Sequence, residues 1–143
     1  MQLNKFTDYG LRVLMHLMAS APERVSVNKI AATFDISEHH VAKVASELVK
    51  GGFVVSGRGR TGGLLLAKKP TQIVIGEVVR YLAGDVPVAE CFAETENCRA
   101  YDQCGLRGPL FEAQQAFFTV LDKYTLDDVV AQRALMRELL NVA

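Results

Sequence analysis

Three thiols carry the most distinctive chemistry in the chain. Cys91, Cys98 and Cys104 fall inside a fourteen-residue window, separated by six and five residues. The gaps are wider than the two-residue spacings of zinc ribbons, redox dithiols and haem attachment sites. An odd number of cysteines would leave a disulfide framework with one thiol over, so the pattern reads as metal ligation or redox chemistry in a reducing compartment. Thiolates select soft metals, and a widely spaced trio can wrap an object larger than one zinc ion. Iron–sulfur clusters commonly take four cysteine ligands, so three leave one iron open to another group or to a small molecule. All three histidines lie earlier, at positions 16, 39 and 40, which weakens a Cys-and-His zinc site. Three ordinary buried or free thiols fit the spacing as well.

A second constellation is cationic. His39, His40 and Lys43 follow Ser37, and Arg58 and Arg60 sit among glycines in Gly57-Arg58-Gly59-Arg60-Thr61-Gly62-Gly63. At the start of a helix in the major groove, His39, His40 and Lys43 would reach base edges. Ser37 and the free amides of the first turn would bind phosphate. Arginines among glycines suit a narrow, electronegative minor groove. A solvated helix face explains any one of these residues equally well, and the group is more informative than its members. Gly57, Gly59 and Gly62 match the spacing of a dinucleotide fingerprint, but they lead into Leu64-Leu65-Leu66 and not into a helix, so nucleotide binding is disfavoured.

The elements that must position these groups follow from periodicity. Leu11, Leu14, Met15 and Met18, then Val27, Ile30, Ala31 and Phe34, then Val41, Val44, Ala45 and Leu48, then Ile75, Val78, Val79 and Leu82 share i, i+3, i+4, i+7 spacing and predict four amphipathic helices. Ser37 is a good N-cap for the third, and Gly51-Gly52 supply a left-handed stop. Only Asp35 and Ile36 remain between the second and third, which makes a sharp turn and a helix-turn-helix. Phe53–Val55 and Leu64–Leu66 read as two strands of a hairpin with a positive tip. The fourth helix, near 74–83, ends at Gly84. Residues 84–108 lack periodicity and hold every cysteine, so they read as a loop. Leu110, Ala113, Phe117, Val120 and Tyr124 form an a/d seam expected to carry a dimer contact, with packing on the same chain as the alternative. Thr125 and Asp128 resemble a capping box opening a last helix, with Asp127 also favourable in its first turn. The fold class expected is mainly α with a small β-hairpin wing: a winged helix-turn-helix over 1–83, a cysteine loop over 84–108, and a long dimerisation helix with a C-terminal helix over 109–143.

At 143 residues, half of them hydrophobic, the chain can bury a core without disulfides. No uncharged apolar run approaches the roughly 20 residues needed to span a bilayer, so a cytoplasmic protein is expected. The net charge is zero, yet residues 1–70 carry ten Lys and Arg against five Asp and Glu, and residues 71–143 carry six against eleven. A +5 half joined to a −5 half suggests a polyanion-binding module attached to something else. No nucleophile and base stand at a recognisable spacing, which disfavours an enzyme such as a thiol oxidoreductase.

Over nearly its full length the chain resembles the bacterial repressor family of NsrR, IscR and RirA. The likeness rests on the opening Met-Gln-Leu-Asn-Lys-Phe-Thr-Asp-Tyr-Gly-Leu-Arg, the Gly57–Leu64 wing, the three loop cysteines, and Leu121-Asp122-Lys123-Tyr124-Thr125-Leu126-Asp127-Asp128. It implies a homodimer on a pseudo-palindromic DNA operator, with the long helix crossing between subunits and the cluster nearby. Phe6-Thr7-Asp8-Tyr9 is similar to the nitric-oxide-sensing NsrR branch, in which an aspartate matching Asp8 reaches from the partner subunit as fourth cluster ligand. Position alone reads Asp8 as an acid stabilising a helix N-terminus. Glu90-Cys91-Phe92 and Cys104-Gly105-Leu106 look like the iron-responsive RirA branch. Arg107 stands where the IscR branch has a histidine ligand, which argues against IscR and its two-iron cluster. The expectation is a repressor with a four-iron cluster (4Fe-4S, with 2Fe-2S less favoured) sensing nitric oxide. An iron-responsive regulator and a zinc-stabilised DNA-binding module are the alternatives.

Overall fold

The computed structural model describes residues 3–59, 62–84, 87–92 and 98–142. Its first helix, α1 (Lys5–Ser20), is capped by Asn4, whose Oδ1 accepts from the Thr7 amide at 2.7 Å. α2 (Val27–Phe34) ends at Asp35, which takes the left-handed conformation at φ 52° and turns the chain toward Ser37. α3 (Glu38–Lys50) begins on the Ser37 hydroxyl, which accepts from the His40 amide. It stops in a Schellman arrangement: Gly52 lies at φ 72°, its amide donates to Val49, and the Phe53 amide donates to Leu48 at 2.9 Å. The α3 stripe of Val41, Val44, Ala45 and Leu48 is entirely buried, as its spacing predicts.

β1 (Val54–Gly57) and β2 (Gly63–Leu66) pair antiparallel, Val54 opposite Leu66 and Gly57 opposite Gly63. The hairpin is shifted from the expected strands, because Phe53 is taken by the end of α3 and its ring packs into the core. Val25 adds a third rung against Leu64 through bonds of 3.1 and 2.8 Å, so the hairpin is fastened to the turn before α2. A helix-turn-helix followed by this hairpin is a winged helix.

α4 (Ile75–Ala83) ends at Gly84, φ 64°, with Ile75, Val78, Val79 and Leu82 buried as expected. Short 3-10 turns at Glu90–Phe92 and Tyr101–Gln103 follow, then α5 (Arg107–Leu121), α6 (Leu126–Val129) and α7 (Arg133–Leu139). Two sequence expectations change here. Tyr124 lies past the end of α5, and Phe117 of the same seam packs on the core together with Phe118 and Leu121, leaving Ala113 and Val120 exposed. The last helix is two short helices: Thr125 and Asp128 do form the capping box, but α6 ends after one turn at Val129.

The core gathers around α1, which packs on α3, α4, α7 and β2. That position explains why a one-sided stripe failed to describe it: Val13 and Leu17 are fully covered while Leu11 and Met15 are half-buried. Each fully buried Leu, such as Leu14, Leu17 and Leu48, contributes about 1.5–3 kcal/mol of transfer free energy. The last turn of α1 has no cation of its own; Arg137 donates to the Ala19 carbonyl at 3.0 Å and Arg133 donates to Ala21, so α7 caps it from outside. α5 is fixed near its C-terminus. Arg80 makes a bidentate pair with Asp122 at 2.6 and 2.7 Å, the Ile75 amide donates to Tyr124, and the Leu126 amide donates to Ile73. No helix among the described residues is long and apolar enough to cross a membrane.

Candidate cysteine loop and nucleic-acid interface

The three thiols lie on the segment joining α4 to α5, and none is in a disulfide: Cys91 and Cys104 are half-buried and Cys98 is exposed. Cys91 sits in the first 3-10 turn and Cys104 directly follows the second. Among the described residues no three His, Cys, Asp or Glu side chains converge into a metal-holding group. Asp8 is in the first turn of α1, half-buried, with Oδ2 2.8 Å from Arg12 Nη2, and the Arg12 guanidinium rests over the Phe34 ring. It adds negative charge to a helix end already capped by Asn4.

The donor set fits an iron–sulfur cluster in kind. Three free soft ligands share one segment, and that segment runs into the start of a fifteen-residue helix. No side chain caps α5 and no acid lies in its first turn, so the amide dipoles there favour an anionic thiolate or cluster. Hard-metal chemistry is a poor match for sulfur donors.

The cationic surface is built on α3 and the hairpin. His39, His40 and Lys43 are exposed on the first turns of α3. Ser37 Oγ lies 2.9 Å from His40 Nδ1, which fixes one face of that ring; its centre is 6.2 Å from Tyr9 and 6.1 Å from His39. Lys43 makes no ion pair among the described residues, whereas Lys50 farther along is paired with Glu47, which raises its pKa. Arg58 is exposed on the hairpin; Arg60 lies outside the described residues. Gly59, at φ 87°, and Gly63, at φ 141°, supply conformations that side chains resist.

Sequence reasoning missed Arg24. Its Nη1 donates to the Gly63 carbonyl at 3.3 Å, and the guanidinium sits so close to Gly57 that a Cβ there would meet it at 2.7 Å. The cation therefore stands where the two strands run into the hairpin tip, brought there from thirty-nine residues away in sequence. No local pattern marks such a contact, since the bridge of Val25 to Leu64 creates it.

Over residues 3–132 the sequence matches the family described as Rrf2, iron-dependent transcriptional regulator. The chain belongs to the Rrf2 family. Within it, the chain is 48% identical over 142 residues to the HTH-type transcriptional regulator NsrR of Geobacillus kaustophilus, covering 98% of this chain and 97% of the relative. It is 42% identical over 143 residues to the regulator of the same name from Bacillus licheniformis, covering 99% and 100%. Among solved structures it is similar to CymR, the global cysteine regulator of B. subtilis, with a TM-score of 0.73 and 27% identity over 92% of this chain and 98% of that one. This Rrf2 protein is accordingly a DNA-binding transcriptional regulator and not an enzyme.

Proposed function

We propose that the protein is a homodimeric repressor of a pseudo-palindromic operator, controlled by a four-iron iron–sulfur cluster and released by nitric oxide. Cys91, Cys98 and Cys104 hold the cluster, with Asp8 of the partner subunit as fourth ligand. The carrying observation is the trio of free thiols leading into the uncapped start of α5, in a chain 48% identical along its length to a regulator named NsrR. When bound, the cluster supplies iron with a non-thiolate position open to a small diatomic ligand. The chain's own residues read the DNA. His39, His40 and Lys43 face base edges from the start of α3, Ser37 and the first-turn amides face phosphate, Arg58 and Arg60 enter the minor groove, and Arg24 adds a phosphate contact beside them. Residues 1–83 serve as the DNA-binding module, 84–108 as the sensor loop, and 109–143 as the dimerising part. An exposed apolar strip of Ala113 and Val120 on α5, extended by Leu106 just before its first residue, supports that last role. A hundredfold change in operator affinity needs about 2.7 kcal/mol between the two states, well within reach of a few metal–ligand bonds.

Anaerobic purification with absorption spectroscopy and iron and sulfide analysis tests the reading. Brown protein that loses its chromophore in Cys98→Ala, and changes its nitric oxide titration in Asp8→Ala, is expected. Colourless protein that holds zinc, or iron-free protein with undiminished operator selectivity, overturns it. The RirA-like Glu90-Cys91-Phe92 favours one second reading, response to iron supply; operator release by chelation but not by nitric oxide would establish it.

A further inference from the structure

Arg107 is the first residue of α5, and its guanidinium lies 4.0 Å from the centre of the Tyr101 ring and 5.9 Å from that of Phe92. Its Nη2 donates to the Tyr101 hydroxyl at 3.0 Å, and Phe92 stacks in turn on Phe111 of α5, ring centres 6.4 Å apart. The places these rings occupy in the chain matter more than the individual contacts. Phe92 directly follows Cys91, Tyr101 is equidistant in sequence from Cys98 and Cys104, and Arg107 comes three residues after Cys104. One planar cation thus ties the parts of the loop that bear all three thiols to the start of a helix. A guanidinium can stack flat on two aromatic faces and still direct N–H groups outward in its own plane; an ammonium cannot.

The arrangement leaves one group unmatched. Arg107 Nε is buried and has no hydrogen-bond partner among the described residues. A charged donor shut away from water demands an acceptor, and a thiolate or cluster sulfur is one that the flanking Cys91 and Cys104 would bring to this loop.

We propose that Arg107 is the positioning residue of the cysteine loop: its aromatic stack sets the spacing of the three thiols, and its Nε–H donates to a thiolate or cluster sulfur when the cluster is bound. This rests on the cluster reading above. Hydrogen bonds to cluster sulfurs and outer partners of metal ligands tune affinity and potential, so the side chain makes the cluster harder to extract.

The test uses full-length protein with Arg107→Ala, Arg107→Lys and Tyr101→Phe. In cluster-free protein, hydrogen exchange of residues 90–92 and 98–106 should quicken in Arg107→Ala and in Arg107→Lys, while α1 to α4 exchange as in the wild type. In anaerobically loaded protein, bleaching by a ferrous chelator should be about tenfold faster in both variants, with Tyr101→Phe between them and the wild type. Wild-type behaviour of Arg107→Lys in both measurements would mean that charge alone suffices and would overturn the stacking role. Unchanged exchange in Arg107→Ala would overturn positioning altogether. Wild-type protein that takes up no iron and sulfide would remove the cluster and the sulfur contact together, and the exchange data from cluster-free protein would then judge the clamp by themselves.

Discussion

A histidine sealed in an apolar core stabilises a protein only while it is neutral. His16 is fully covered, bonded to Ser20 at 3.1 Å and Thr33 at 3.2 Å, and set edge-on to Phe34. Burial, assisted by the charge of Lys29, pushes its pKa below the ordinary imidazole value. The unfolded chain therefore binds a proton that the folded chain refuses, from about pH 6.5 down to the depressed folded value. Stability rises with pH through that window and levels off above about 6.5. The urea midpoint should fall as pH drops from about 7 to about 5, and His16→Gln should flatten the profile; a parallel slope in the variant would assign the effect elsewhere. Asp128 acts in a different range. The Thr125 amide and hydroxyl hold its carboxyl below the usual carboxylate range, so its contribution is lost only as pH falls below about 4. Thr7 presents the opposite case, a buried hydroxyl without a partner among the described residues. Thr7→Val keeps its shape and should gain about 1 kcal/mol in urea unfolding. A loss would show that the hydroxyl finds its partner only in the assembled protein.

At the scale of elements, the hairpin depends on a backbone that only glycine adopts easily. Gly63 lies at φ 141°, and a Cβ there would stand 3.0 Å from the Val25 carbonyl oxygen. Gly63→Ala should cost about 1–3 kcal/mol in a denaturant titration and weaken operator binding by displacing the hairpin from the turn that carries Arg24. The helix-turn-helix was legible in the sequence because its signals are local. Asp35 and Ile36 leave no room for anything but a turn, Ser37 caps, Gly52 stops the helix, and the stripe from Val41 to Leu48 faces a single neighbourhood. α1 was less legible, since a helix enclosed on several sides by α3, α4, α7 and β2 has no single stripe to display. The seam through Phe117 was only partly legible for a related reason: α5 has apolar residues facing both its own core and outward, and spacing cannot divide them. Around the site, cysteine spacing suggested a soft-metal loop, but the grip of Arg107 on Tyr101 and Phe92 and the reach of Arg24 to Gly63 depend on how the loop and hairpin fold back, which no periodicity encodes.

For the whole molecule, the division of charge sets how binding responds to salt. The +5 of residues 1–70 belongs to the part of the chain that contains α3 and the hairpin, with Arg58, Arg60, Lys68 and Lys69 in and just after the hairpin and α3 itself neutral, and the −5 of the remainder to the cysteine segment and C-terminal helices. Arg24→Ala and Arg58→Ala should each weaken operator and non-specific DNA alike and lower the slope of log affinity against log salt by about one, whereas His39→Ala or Lys43→Ala should shift sequence preference with a smaller change in slope. Unchanged slopes would take the hairpin off the DNA.

The way α5 is fastened has a mechanical consequence. Its core-packing side chains Phe117, Phe118 and Leu121 and its brace to Arg80 through Asp122 all belong to one end, while the cysteines adjoin the other. The helix is a cantilever roughly 22 Å long, and a tilt of about 10° at the root sweeps its tip through about 4 Å. In the dimer proposed above, a shift of about 4 Å at the thiol end would pass to the braced end as a turn of about 10°, without any bending of the helix, and re-aim the DNA-reading module to which Arg80 fastens it.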